Sequence, residues 1–243
     1  DLRRAIHREP ELGLHNPKTR DKIRESLSGL PLEFREGPST SGLIAILRGP
    51  ENGRTVLLRG DTDALPLTEE TGLDFSSEHK GMMHACGHDT HVAMLVGAAK
   101  LLCANRDRLT GTVIFMFQPG EEGHHGARFM LEDGLIDPLP DAAFALHIMP
   151  NAPHGVFASK AGPLLASSDQ LKITVKGAGG HASMPQDALD PIPVACAIVT
   201  ALQTLITRRV SVFDPAVITI AKIAAGTTYN IIPETAEMLG TIR

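Results

Sequence analysis

No cluster of lysine and arginine occurs anywhere in this chain, and its formal net charge is -5. That balance gives no reason to expect a nucleic-acid partner. The apolar runs are short and interrupted, which argues against a membrane span. Cysteines number only three, at positions 86, 103 and 196. An odd, scattered set does not make a disulfide framework and suits a reducing, cytoplasmic compartment. The opening "DLRRAIHREPELG" is charged from its first residue, unlike a secretory leader, and it lacks a methionine, which points to a start beyond the natural N-terminus. Repeats and low-complexity segments are absent as well.

What the chain does contain is an ordinary globular composition, 42% hydrophobic and 21% charged over 243 residues, enough for two domains. Residues 2–30 read as helical with a break at "REPELGLHNPKTR". "TVLLRG", "GTVIFMFQPG" and "DAAFALHIMP" read as apolar strands buried on both faces. Between them, Val92, Leu95, Val96, Ala99 and Leu102 recur at helical spacing, with Asp89 as the expected N-cap. Strands alternating with helices predict a mainly parallel α/β sheet over residues 1–163. From 164 to 243 the character changes. "DQLKITVKG" alternates apolar and polar residues like a half-exposed antiparallel strand, a helix is expected from Pro191 to Thr207, and two further strands follow. That order suits an incomplete α+β domain of ferredoxin-like type.

Polar residues gather where these strands end, which in an open α/β sheet is where ligands bind. Asp61 and Asp63 follow "TVLLRG", Glu121 and Glu122 follow "TVIFMFQPG", and His147 follows "AFAL". Cys86 and His88 lie in "MHACGHDTH", just ahead of a helix. Thiolate, imidazole and carboxylate together suit a borderline transition metal such as Zn²⁺, with Mn²⁺ or a neighbour also compatible. Adjacent Glu121 and Glu122 cannot both point the same way in an extended segment, so one is free to bind metal while the other carries protons. Cys103 and Cys196 read as small buried hydrophobes. His7, His15, His79 and His154 read as surface or supporting residues, His124 and His125 as loop residues, and His84 and His91 as hydrogen-bonding neighbours of the site.

With these pieces assembled, the sequence resembles the amidohydrolase branch of the aminoacylase and carboxypeptidase-type metallopeptidases, which includes hippurate hydrolases and indoleacetyl-amino-acid hydrolases. The matching segments are "HREPEL", "LRGDTDALP", "MHACGHDTH", "FQPGEEG", "LHIMP", "GAGGHAS" and "NIIPETAEMLGTIR", in the family's order. The resemblance implies a metallopeptidase domain carrying two divalent metal ions, Zn or Mn, and an inserted lid and dimerisation domain, both truncated at the C-terminus. It implies Cys86, His88, Glu122 and His147 as metal ligands, Glu121 as general base, and Asp63 as an acid that orients the site. Asp61 stands where peptidase relatives carry a histidine, which leaves its role open. His181 would stabilise the oxyanion, and Asn230 and Arg243 would hold the substrate. The implied partners are an N-acyl amino acid-type small molecule and a second copy in a homodimer. A further ligand histidine of the family lies beyond Arg243, so the alternative is a weak or inactive metal- or small-ligand-binding homologue.

Overall fold

The computed structural model describes residues 1–243 and divides into two compact units, Asp1–His154 and Gly155–Arg243. In the first unit, helices α1 (Leu2–Arg8) and α2 (Pro17–Ser26) precede strands β1 (Glu33–Glu36), β2 (Leu43–Arg48) and β3 (Glu51–Asp61). Helix α3 (His88–Ala104), strand β4 (Thr110–Gln118), helix α4 (Gly126–Glu132) and strand β5 (Ala142–Ala145) complete it. The five strands form one sheet in the order β1-β2-β4-β3-β5.

The sheet is mixed, where the sequence predicted a mainly parallel one. β3 pairs in parallel with β4 and β5, but β2 runs antiparallel to both β1 and β4. β2 is buried on both faces despite its antiparallel pairing. Leu43, Ala45 and Leu47 pack with Val113, Phe115 and Phe117 against α1, α2 and α3, while Ile44 and Ile46 face Ile114, Met116 and Met130 on the other side.

Helix α3 presents Val92, Leu95, Val96, Ala99 and Cys103 to the first of these cores, a stripe with helical periodicity. Its N-cap is Gly87 at φ 84°, not Asp89 as expected. Asp89 sits instead inside the first turn, where its Oδ2 accepts from His7 Nδ1 at 2.8 Å and Arg3 Nε at 3.0 Å. His7, expected near the surface or in support, is in fact buried there.

The second unit packs α5 (Pro191–Arg209) on a three-stranded antiparallel sheet of β6 (Asp169–Lys176), β10 (Thr235–Ile242) and β8 (Ile218–Ala225), in that order. Pro191 opens the helix and the Asp190 carboxylate accepts the Ile192 N–H at 2.9 Å, a capped start. Ala195, Ile198 and Val199 meet Ile173, Val175, Ala236 and Met238. Cys196, expected to be buried, is exposed on α5. By length and composition alone α5 is apolar enough to cross a membrane, with a mean hydropathy of 1.3, although the short apolar runs of the sequence argue against a span. A ribbon of β7 (Gly180–His181) and β9 (Ile231–Ile232) completes the unit.

Candidate metal centre

Strand register brings the polar residues together. Asp61 at the end of β3 is opposite Gln118 at the end of β4, and Arg59 is opposite Ala145 at the end of β5. The segments leaving these parallel strands therefore emerge on one edge, carrying Asp63, the Glu121–Glu122 pair and His147. Gly87 lets the chain turn into α3 directly beneath them, because its left-handed conformation is costly for any residue with a Cβ. A Cβ on Gly87 would also come within 2.2 Å of Ile148 Cδ1, next to His147.

Three overlapping groups of donor atoms result. Cys86, His88 and His147 form one, His88, Glu121 and Glu122 another, and Asp61, His88 and His91 the third; within each, the ligating atoms lie within 4.8 Å of one another. Cys86 Sγ is 3.4 Å from His147 Nε2. His147 Nδ1 donates to the Ile148 carbonyl at 2.7 Å, which leaves the Nε2 lone pair facing the sulfur. The imidazole of His88 is fully buried, and its Nδ1 donates at 2.7 Å to the Asp63 carbonyl. Its Nε2 is buried with no hydrogen-bond partner, 3.5 Å from Asp61 Oδ2, in the one residue common to all three donor groups. A buried nitrogen without a partner, beside a thiol and carboxylates, is the environment a divalent ion would satisfy by taking the place of a proton.

The charge balance agrees. Burial pushes His88 down, yet its bond with Asp63 and the neighbouring Cys86 and Asp61 hold it up to about 11. A proton bound that tightly on a buried imidazole reflects surplus negative charge, which a cation would neutralise in its place. Glu122 is raised above the ordinary carboxyl value, first by burial and then by the adjacent charge of Glu121. Glu121 itself is exposed, so the two neighbours occupy different environments.

Asp63 stands behind this pair. Its two carboxylate oxygens accept the backbone N–H groups of Glu121 and Glu122 at 3.1 and 3.0 Å, fixing the loop that presents them. Burial pushes its carboxyl up, but the His88 and backbone donors prevail and its pKa is lowered. Asp61 is engaged on both oxygens, with His91 Nδ1 at 2.6 Å on Oδ1 and Arg59 Nη1 at 2.6 Å on Oδ2. The strength of these bonds and the full burial of His91 are features that the sequence did not reveal. His84 is also buried without a partner on either nitrogen, and burial lowers it to about 4.

The remaining predicted residues lie in the second unit. His181 Nδ1 accepts the Ser183 backbone N–H at 3.2 Å, so its Nε2 carries the proton and is available as a donor. Pairing of β7 with β9 sets His181 opposite Ile231, and Ala182 N–H donates to the Asn230 carbonyl at 3.1 Å, so His181 and Asn230 are neighbours. Arg243 is not near them. It follows β10 at the end remote from β9, roughly 25 Å along an eight-residue strand.

Comparison with known proteins accounts for this arrangement. Residues 57–241 match peptidase family M20/M25/M40. The chain is 43% identical over 244 residues to N-acetylcysteine deacetylase of Bacillus subtilis, covering all of itself and 64% of that protein. It is 44% identical over 245 residues to thermostable carboxypeptidase 1 of Saccharolobus solfataricus, covering 62% of that relative. It also superposes, with a TM-score of 0.75 and 41% identity, on the crystal structure of the Bacillus subtilis YXEP protein, a dinuclear metal-binding peptidase of the M20 family. That match covers all of this chain and 62% of the other. The chain thus spans less than two thirds of the length of these relatives, and with the matched segment running through both units it belongs to peptidase family M20/M25/M40.

Proposed function

We propose that the protein is a metal-dependent amidohydrolase that cleaves the amide bond of N-acyl amino acids or similar small conjugates. The observation that carries this reading is the buried, unpartnered Nε2 of His88, a residue that shares its donor groups with Cys86, His147 and the Glu121–Glu122 pair. In this reading Cys86, His88, Glu122 and His147 hold two divalent ions, zinc or manganese. Bound there, such ions supply Lewis acidity that polarises a carbonyl and acidifies a water.

Glu121 takes a proton from the attacking water and delivers it to the leaving nitrogen as the carbon–nitrogen bond breaks; the second water proton also ends on the amine, so the acyl part departs as a carboxylate and the amine as the ammonium group of a free amino acid. Its exposure suits a group that must meet substrate, while Glu122, with its raised carboxyl, stays on the metal side. Asp63 keeps both glutamates in place through their backbone amides. His181, with its proton on Nε2, is the donor for the oxyanion, a role whose loss costs about 10²–10³ in turnover. Asn230 and Arg243 are the substrate-holding residues of this proposal. Since Arg243 is remote from Asn230 within one chain, the two would serve different sites in a homodimer. The function requires Cys86 to remain a free thiol, which fits a cytoplasmic setting.

The test is Glu121→Gln together with chelation. Turnover of a panel of N-acetyl amino acids should fall by at least about 10²-fold in the variant while its metal content is unchanged. A strong chelator should abolish turnover, and zinc or manganese should restore it. Full activity in the variant or in chelator refutes the proposal. Metal content without hydrolysis of any member of the panel favours the ligand-binding alternative.

A further inference from the structure

In the third donor group, Asp61, His88 and His91, the last of these has no free nitrogen to offer. Ile148 N–H donates to His91 Nε2 at 3.0 Å. That nitrogen therefore carries no hydrogen, and the ring proton is on Nδ1, where it is given to Asp61 Oδ1 at 2.6 Å. Asp61 Oδ2 takes Arg59 Nη1, and Arg59 Nε donates to Gln118 Oε1 at 2.9 Å. Both nitrogens of His91 are spent on protein partners, so this group is not a third metal position.

The chain of bonds has a direction. It starts at the ends of β3 and β4, passes through Asp61 and the first turn of α3, and ends on the amide that follows His147. His147 is exposed on a loop beyond the edge strand β5, with little apolar packing to fix it, whereas His91 and Asp61 are 3% and 1% exposed. The two imidazole rings also touch edge to face, with centroids 4.6 Å apart. Close approach of α3 to β3 is possible because Gly60 has no side chain: a Cβ there would come within 3.2 Å of the His91 carbonyl.

We infer that His91 is a positioning residue that holds His147 in ligating register through the Ile148 amide, with Asp61 and Arg59 fixing its tautomer and orientation. Groups that orient a ligand from outside the coordination sphere typically contribute about 10–100-fold in metal affinity. His91 acts through its hydrogen bond to a neighbour of the ligand, so the lower end of that range applies.

The role rests on the metal-binding function proposed above, and the test separates the two. The full chain is titrated with Co²⁺, following the thiolate charge-transfer and d–d absorption, and with Zn²⁺ by competition. His91→Phe should weaken Co²⁺ about tenfold and shift the d–d bands. His147→Ala should weaken it further, and the double variant should be no weaker than His147→Ala alone, because both changes remove one contribution. His91→Gln, whose amide reaches the Nε2 position and can accept from Ile148, should restore most of the affinity. His91→Asn, which reaches only toward Asp61, should not. If His91→Phe does not fold, the contrast between these last two decides. Wild-type uptake of Co²⁺ with unchanged variants, multiplying losses in the double variant, or equal behaviour of His91→Gln and His91→Asn overturns the positioning role alone. A wild-type chain that takes up no Co²⁺ overturns the metal-binding function and this role with it.

Discussion

At the scale of single residues, Asp61 shows how a buried carboxylate becomes part of the fold's pH response. Burial pushes its carboxyl up, but the His91 hydrogen bond, the charge of His88 and the Arg59 guanidinium hold it down to about 2. A depressed carboxyl contributes stability above its unfolded value near 4, and the contribution is lost as pH falls through the folded value. The window is therefore about pH 4 to 2, and the contribution is on the order of 2 kcal/mol. Acid unfolding of the metal-free chain followed by circular dichroism should show this slope, and Asp61→Asn should flatten it while lowering stability at neutral pH. An unchanged acid profile in the variant would contradict the assignment. Residue types pointed to Cys86, His88, His147 and the Glu121–Glu122 pair as neighbours, because few structural roles need thiol, imidazole and carboxylate together, and the structure does bring them into overlapping donor groups. Asp61 and His91 were not legible to the same degree. Their function depends on which oxygen and which nitrogen meets which partner, and no spacing encodes that.

At the scale of elements, the start of α3 rests on Gly87. With φ at 84° and Ile148 Cδ1 in the way of any Cβ, Gly87→Ala meets backbone strain and a collision together. The expected cost is about 1–3 kcal/mol in thermal or denaturant unfolding, accompanied by weaker Co²⁺ binding because Ile148 moves with His147. A variant with wild-type stability and affinity would show that the turn has another solution. The periodic elements could be read from the sequence: the alternation of β6, the stripe of α3 and the capped start of α5 each follow a single spacing rule. The direction of β2 could not. A strand buried on both faces looks the same in sequence whether its neighbours are parallel or antiparallel. The true start of α3 was missed for a related reason, since Asp89 has the composition of a cap but spends its carboxylate on His7 and Arg3.

On the scale of the whole molecule, the two units have separate cores, and every proposed metal ligand lies within Asp1–His154. The sequence placed the boundary at 163/164, where alternation begins, whereas the first unit ends at His154. The intervening stretch contains no helix or strand, so composition alone gave no edge to detect. Ion binding to the native first unit stabilises that unit by mass action, by about 2.7 kcal/mol at a free concentration a hundredfold above Kd. Calorimetry with and without chelator should therefore move the transition of the first unit by roughly 5–10 °C. The transition of the second unit should stay in place, and a common shift of both would show that they unfold together. The same placement bears on assembly of the chain. Cys86, Glu122 and His147 sit on loops that meet only after β3, β4 and β5 have found their mutual alignment. A tight ion site therefore needs these strands in their native alignment, so a bound ion would favour the correctly aligned chain over one whose strands have slipped by even one position.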